Sequence, residues 1–421
     1  MSPEHAVQAH RDVRGKRSPA RILSISLSVL SMQRFSQQHG QHRRAHLRQS
    51  QCHPCILALP DTGIPAAMNL PRLPFVAVVA AALAVVAHAS PAAPIDAATR
   101  RQVLDAAILE MKQSYVFPEV AQKVETALQR QWNTKVFDGI DDGVAFADRL
   151  TAELRAVTMD KHIRVRYSAT PLPQRTPEGP SAEETARYRQ EEQARNFGVE
   201  RVERLPGNVG YIDLRVFAPV EWAGETLSAA MTLVANTDAL IVDLRKNGGG
   251  DPAAVAFLSS YLFDTRTHLN NLYWREGDQT VQFWTHEWVP GKRFGQRKPV
   301  YVLISAATFS GAEEFSYNLK NLKRATLIGE TTGGGANPGD VYRLSTNFSM
   351  FVPTGRAISP ITGTNWEGTG VEPDIRTDAS RALDEAQKKA LEHLIAVEVD
   401  PQRKRLLQEG LAKLDKGPAA R

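Results

Sequence analysis

Cysteine is nearly absent from this chain. Cys52 and Cys55 are the only two in 421 residues. One C-x-x-C pair without further ligands is thin material for a metal or redox centre, and the chain beyond it has no thiol chemistry. Long hydrophobic runs are missing too. The longest, Phe75 to Ala87, falls short of the ~20 apolar residues a membrane-spanning helix needs. No internal repeat is evident. A basic surface is absent from most of the chain despite a net charge of +5. Residues 1–67 hold nine basic and three acidic residues, whereas those after residue 89 hold 41 basic and 43 acidic. Without a basic patch or a nucleic-acid motif, nucleic acid is not an expected partner. Histidine is scarce as well. After residue 89 only His162, His268, His286 and His393 remain, which limits the candidates for a general base.

What is there begins with two unlike segments. Residues 1–67 are rich in Arg, His, Gln and Ser, with little apolar periodicity, and read as a leader without a fold of its own. Met68 then opens a short basic start, an apolar core and Ala87-His88-Ala89 before Ser90. That is the pattern of a secretory signal peptide over 68–89, so the mature chain is expected to be exported, periplasmic or extracellular, with no stable membrane insertion after cleavage.

Helical periodicity follows over Ala97–Tyr115, Pro118–Trp132 and Asp142–Val157. With the short strand His162–Tyr167 these predict a small N-terminal helical domain over 96–167. Residues 168–196, rich in Pro, Glu, Arg and Gln, read as a linker with a polar helix. From 197 to 378 strands alternate with helices. Strands are expected at 209–214, 239–244, 300–304 and 325–329, helices at 220–235, 252–262 and 312–322, and an aromatic-rich hairpin at 270–288. The alternation argues for an α/β core. Residues 379–421 read as charged, amphipathic C-terminal helices.

Thr308-Phe309-Ser310-Gly311-Ala312-Glu313-Glu314-Phe315 carries the most chemistry. It places a serine between a buried strand and a helix, beside free N–H groups and the positive end of a helix dipole. That setting suits a nucleophile whose reaction builds an oxyanion. Serine is also a favoured helix cap, so position alone leaves both roles open. Glu313 and Glu314 favour the same dipole and read as structural. Gly248-Gly249-Gly250 follows the strand ending at Leu244 and permits close backbone approach to a ligand. It lacks the G-K-[ST] ending of a phosphate loop, and Asp251 would repel phosphate. Backbone N–H groups of Gly311, with Gly248 or Gly249, could hold an oxyanion. Serine needs a base, and His162, at the junction of helix and strand, is the candidate.

Five motifs stand in order: Tyr211 to Leu214, Asp243 to Gly250, Thr308 to Phe315, Leu327 to Gly335 and Gly368 to Asp374. Their order and spacing resemble the tail-specific (C-terminal processing) serine peptidases, in the branch containing tricorn core protease and interphotoreceptor retinoid-binding protein. Tyr115 to Glu119 resembles the N-terminal segment of that branch. The resemblance covers about 100–378 and implies a ClpP/crotonase-like spiral core with Ser310 as nucleophile. The processing enzymes pair serine with a lysine, but Gly335 stands at that lysine's position. The tricorn-like branch uses histidine and glutamate, which match His162 and Glu367. A serine precedes the histidine in that branch, whereas Lys161 does here. About forty residues between His162 and Val209 leave no room for a PDZ domain.

The resemblance therefore implies a serine endopeptidase acting on peptide or unfolded protein, with no metal or organic cofactor. A non-catalytic retinoid- or lipid-binding protein on the same fold is the alternative, with Tyr273, Trp274, Phe283, Trp284 and Trp288 lining its site. Export argues against a crotonase-like acyl-CoA enzyme, since acyl-CoA is intracellular. Cleavage preference and oligomeric state are not written in these motifs.

Overall fold

Capping chemistry sets where the N-terminal helices begin. The computed structural model describes residues 94–173 and 181–415, which belong to one compact unit. The leader, the signal segment, Cys52 and Cys55 lie outside the described residues. Helix α1 (Ala97–Ser114) starts at Asp96, whose carboxylate accepts the Thr99 N–H. Helix α2 (Pro118–Asn133) has proline in its first turn, and α3 (Gly143–Thr158) is capped by Asp142. Aspartate caps and an N1 proline satisfy or remove N–H groups that the helix itself leaves unbonded. Helix α3 ends at Met159, a left-handed residue with φ 57°. That turn carries the chain through Asp160-Lys161-His162 into strand β1 (Arg164–Tyr167).

Helix α4 (Ala182–Ala194) carries a Ser181/Glu184 capping box. Strands β2 (Val199–Leu205) and β3 (Val209–Leu214), helix α5 (Val220–Val234), strand β4 (Ala239–Asp243) and helix α6 (Pro252–Ser260) come next. Strands β5 (His268–Trp274) and β6 (Gln279–Trp284) pair as a hairpin. Strand β7 (Val300–Ile304), helix α7 (Gly311–Asn321) and strand β8 (Thr326–Gly329) complete the centre. The chain closes with β9 (Gly339–Arg343), β10 (Phe348–Pro353), β11 (Gly355–Ile358), β12 (Ile375–Arg376), α8 (Ala382–Val397) and α9 (Pro401–Asp415).

The central sheet runs β12-β8-β7-β4-β3-β2, parallel except for β2 at its edge. Its inner strands β3, β4, β7 and β8 are buried on both faces, as parallel strands covered by helices must be. Alternate residues face opposite layers. Leu240 and Val242 pack with α5, α6 and α7 through Leu227, Met231, Leu258 and Phe315. Ala239 and Ile241 pack with α8 and α9 through Ala386, Ala390, Leu391 and Leu407. The chain is thus a mixed α/β protein with a mostly parallel sheet, preceded by a helical region, as the alternating pattern predicted.

The late strands β9 and β10 join a separate sheet. Strand β10 pairs antiparallel with β1 and with β9, away from the central sheet. Phe348, Met350 and Val352 share a core with Leu104, Phe146 and Leu150 of the N-terminal helices. The sheet that carries His162's neighbours is therefore built from both ends of the chain. None of the described helices is long and apolar enough to cross a membrane.

Candidate active site

Three loops at the carboxyl ends of the adjacent parallel strands β4, β7 and β8 meet here. In open α/β sheets that edge is where ligands bind. They are zipped together by side-chain and main-chain bonds. Thr308 Oγ1 donates to the Leu244 carbonyl at 2.8 Å, and the Phe309 N–H donates to the Asn247 carbonyl at 3.0 Å. Glu313 then staples the serine turn to the β8 loop. Its fully buried carboxyl accepts N–H groups from Ser310 (2.9 Å), Gly334 (2.6 Å) and Gly335 (2.9 Å), and the Thr332 hydroxyl (2.5 Å).

Ser310 sits at the head of α7 with φ 52° and ψ −121°. A serine with positive φ is strained. The same strained strand-to-helix turn characterises nucleophile elbows, where it exposes the hydroxyl. Gly249, at φ 107°, lies behind it: a Cβ there would meet Ser310 Cβ at 2.7 Å and the Gly311 nitrogen at 2.8 Å. The Gly249 N–H donates to Asn247 Oδ1 at 2.8 Å. Gly249 therefore gives the turn its close packing, and its amide is already engaged. Gly248, Gly250 and Gly311 line a cavity of about 1010 Å³ together with Ser310 and His162.

His162 enters that cavity from the turn after α3. Its N–H donates to Asp160 Oδ1 at 3.0 Å, the short-range turn that aspartate favours. Asp160 is held in turn by Tyr115 Oη at 3.3 Å and Asn337 Nδ2 at 2.9 Å. The imidazole packs on Phe309, centroid to centroid 4.5 Å, and on Phe351 at 5.8 Å. Both ring nitrogens are buried without a hydrogen-bond partner among the described residues. Burial, with the nearby Arg155 charge, pushes the imidazole down to about 4, so the ring is neutral at physiological pH and able to accept a proton.

Glu367 reaches the same place from the loop before β12. Its Oε2 accepts the Ala336 N–H at 2.6 Å, while Oε1 is buried and unbonded. Trp366 Nε1 donates to the Gly335 carbonyl at 2.7 Å and fixes that loop. Burial, and then the neighbouring Asp160 charge, raise Glu367 to about 8. Asp160, His162 and Glu367 each bring one ligand-type atom within 4.8 Å of the others. Two carboxylates and an imidazole form an acid–base trio, and the same donor set could hold a divalent cation. The sequence motifs assign Asp160 no role. Its burial among Tyr115, Asn337 and His162 depends on contacts up to 177 positions apart, which no local pattern reveals. Lys161 donates to the Gly333 carbonyl at 2.5 Å and so ties this turn to the β8 loop.

Gly335 has a steric reason to be glycine. A Cβ on it would lie 2.2 Å from Phe309 Cζ and 2.6 Å from His162 Cε1. Among the remaining histidines, His268 stacks on Trp284 and bonds Asn271. Of the hairpin aromatics, Trp274 and Phe283 line the cavity, whereas Trp288 is exposed.

An α/β protein with a serine elbow and a buried neutral histidine in one cavity is the class that fold and site define. Comparison with known proteins names it further. Residues 208–377 match peptidase family S41, and residues 97–199 match the N-terminal domain of peptidase S41 in eukaryotic IRBP. The chain belongs to peptidase family S41. It is 28% identical over 205 residues to the chloroplastic carboxyl-terminal-processing peptidase 2 of Arabidopsis thaliana, covering 44% of this chain and 36% of the relative. It is 27% identical over 182 residues to the carboxy-terminal-processing protease of Bartonella bacilliformis, covering 41% of this chain and 39% of that protein. The chain thus spans under two fifths of the length of these relatives. Among solved structures it is similar to the tricorn protease, with 14% identity, a TM-score of 0.44, and coverage of 75% of this chain and 37% of that one. It is also similar to the photosystem II D1 C-terminal processing protease, with 16% identity, a TM-score of 0.39, and coverage of 66% and 93%.

Proposed function

We propose that this chain is an exported serine endopeptidase that cleaves peptide or unfolded protein through an acyl-enzyme on Ser310. The observation that carries the reading is the strained Ser310 turn opening on the same cavity as a buried, neutral His162 with unbonded nitrogens. Ser310 Oγ attacks the scissile carbonyl carbon, and His162 takes the hydroxyl proton. The oxyanion is held by the Gly311 N–H and that of Gly248. His162 then gives its proton to the leaving amine, and water repeats the sequence to release the acid. Asp160 stabilises the charged form of the imidazole, and Glu367 stands beside the pair as the protonated carboxyl that completes the trio. Export rests on the signal-peptide pattern over 68–89, which also sets apart the helical region 96–167 and the core 197–378 as parts of the mature chain.

A fluorophosphonate probe followed by peptide mapping tests this. Labelling is expected on Ser310, abolished in Ser310→Ala, slowed in His162→Ala and indifferent to a chelator. Peptide hydrolysis that is lost to a chelator and restored by zinc, with no label on Ser310, would replace this mechanism with a metal-assisted one at the Asp160, His162 and Glu367 cluster.

A further inference from the structure

Glu314 is a carboxyl that the proposed mechanism does not use. It lies one helical turn beyond Ser310 on α7, its N–H bonded to the Ser310 carbonyl at 2.9 Å. Residues four apart share a helix face, so Glu314 stands about 6 Å further along the same face as the nucleophile. It lines the cavity that Ser310 lines, yet it is only 4% exposed and its Oε1 has no hydrogen-bond partner. The buried Asn270 is near enough to favour its ionised form without a well-formed hydrogen bond, whereas Asp251, a second acidic group nearby, opposes ionisation. Burial lifts Glu314 to about 8, and no cation among the described residues offsets it. Asp251 also lines the cavity, but its carboxylate is spent on the Val220, Ala253 and Ala254 N–H groups. Arg155, Lys161, Arg164 and Arg166 line the cavity from the segment around β1, and the first two are bonded to main-chain carbonyls.

An uncompensated buried carboxyl is expensive unless a partner arrives to meet it. Leu272, Trp274 and Phe283 line the same cavity and offer apolar walls. Apolar walls leading to a buried acid match a long side chain with a methylene stem and a cationic head. We propose that Glu314 is a specificity residue, and that the subsite beside Ser310 accepts lysine or arginine as the residue preceding the scissile bond. The assignment rests on Ser310 being the nucleophile.

Two measurements test it. The first compares kcat/KM for matched fluorogenic peptides that carry lysine or norleucine before the scissile bond. Lysine is expected to be favoured at least ~10-fold, with the ratio falling towards one in Glu314→Gln. A merely structural Glu314 would lower both rates together and leave the ratio in place, and a wild-type ratio of one or below would overturn the proposal. The second is calorimetry of n-butylammonium against n-butanol on the wild-type protein, which needs neither turnover nor a folded variant. Binding of the ammonium compound at least ~10-fold tighter supports the subsite, and equal binding overturns it. If no peptide is cleaved at all, the peptidase reading fails, and calorimetry still decides whether the cavity takes a cation.

Discussion

Replacing Gly335 with alanine tests whether His162 is the base. The methyl group would sit 2.2 Å from Phe309 Cζ, 2.5 Å from Phe309 Cε2 and 2.6 Å from His162 Cε1. Carbon atoms in good contact lie ~3.5–4.0 Å apart, so one party must retreat by about 1 Å. The backbone of residue 335 is poorly placed to yield. Its N–H is held by Glu313 Oε2 at 2.9 Å and its carbonyl by Trp366 Nε1 at 2.7 Å. The side chains must move instead, and both adjoin the nucleophile: Phe309 precedes Ser310, and His162 packs on Phe309. A misplacement of ~1 Å in a catalytic constellation costs about 10²-fold in rate. Gly335→Ala should therefore lower kcat/KM by about that factor and slow fluorophosphonate labelling of Ser310 in parallel, with the fold kept by circular dichroism. A folded Gly335→Ala enzyme within ~3-fold of wild type would refute the reasoning, because the ring so displaced could not be the base.

Three further outcomes follow from the same geometry. Ser310→Gly should stabilise the protein by about 1 kcal/mol in urea unfolding, because glycine adopts φ 52° without strain, while hydrolysis disappears. Stability should fall as pH rises from 6.5 to 8. Glu314 and Glu367, raised to about 8, hold protons in the fold that the unfolded chain has released, so their contribution is full below the ordinary value of 4.5 and gone above 8. His162 acts oppositely, but its loss begins only as pH drops below 6.5, so the upper window belongs to the carboxyls, and Glu314→Gln should flatten it in thermal unfolding scans. Asp160→Asn should lower kcat by ~10²-fold or more while Glu367→Gln costs several-fold less, and the reverse order in steady-state assays would move the orienting charge to Glu367.

Much of the central architecture could be read locally. Strands 209–214 and 300–304 were predicted to the residue, because buried parallel strands are short apolar runs bounded by turn residues. The antiparallel edge strand β2 was not delimited: its Val-Glu-Arg-Val-Glu-Arg-Leu sequence is mostly exposed and lacks such a run. The placement of β10 against β1 escaped for a different reason, since pairing over 181 residues or more leaves no periodic trace. At the site, Ser310 and the glycine turn announced themselves through backbone chemistry. His162 was named from its place at a helix-to-strand junction among the four histidines after residue 89, and Glu367 from the family resemblance alone. Asp160 and the buried state of Glu314 carried no local signal, because burial is a property of what packs from elsewhere.

The electrostatics of the trio follow from counting donors. Two carboxyls within reach of one imidazole, in a buried place, do not both carry charge cheaply. Asp160 receives three donors, from Tyr115, Asn337 and the His162 N–H, whereas Glu367 receives one, from Ala336. Hydrogen bonds to the charged form favour it. Burial raises both carboxyls, and the donor count makes Asp160 the one that carries charge more readily, with Glu367, raised to about 8, the one that keeps its proton. Burial keeps His162 neutral, as the proposed mechanism requires of a base. Once it took the serine proton in that mechanism, the imidazolium would find the Asp160 charge beside it, Nδ1 to Oδ1 3.8 Å apart. The attraction strengthens as the imidazolium charge forms, which is where stabilisation speeds a reaction.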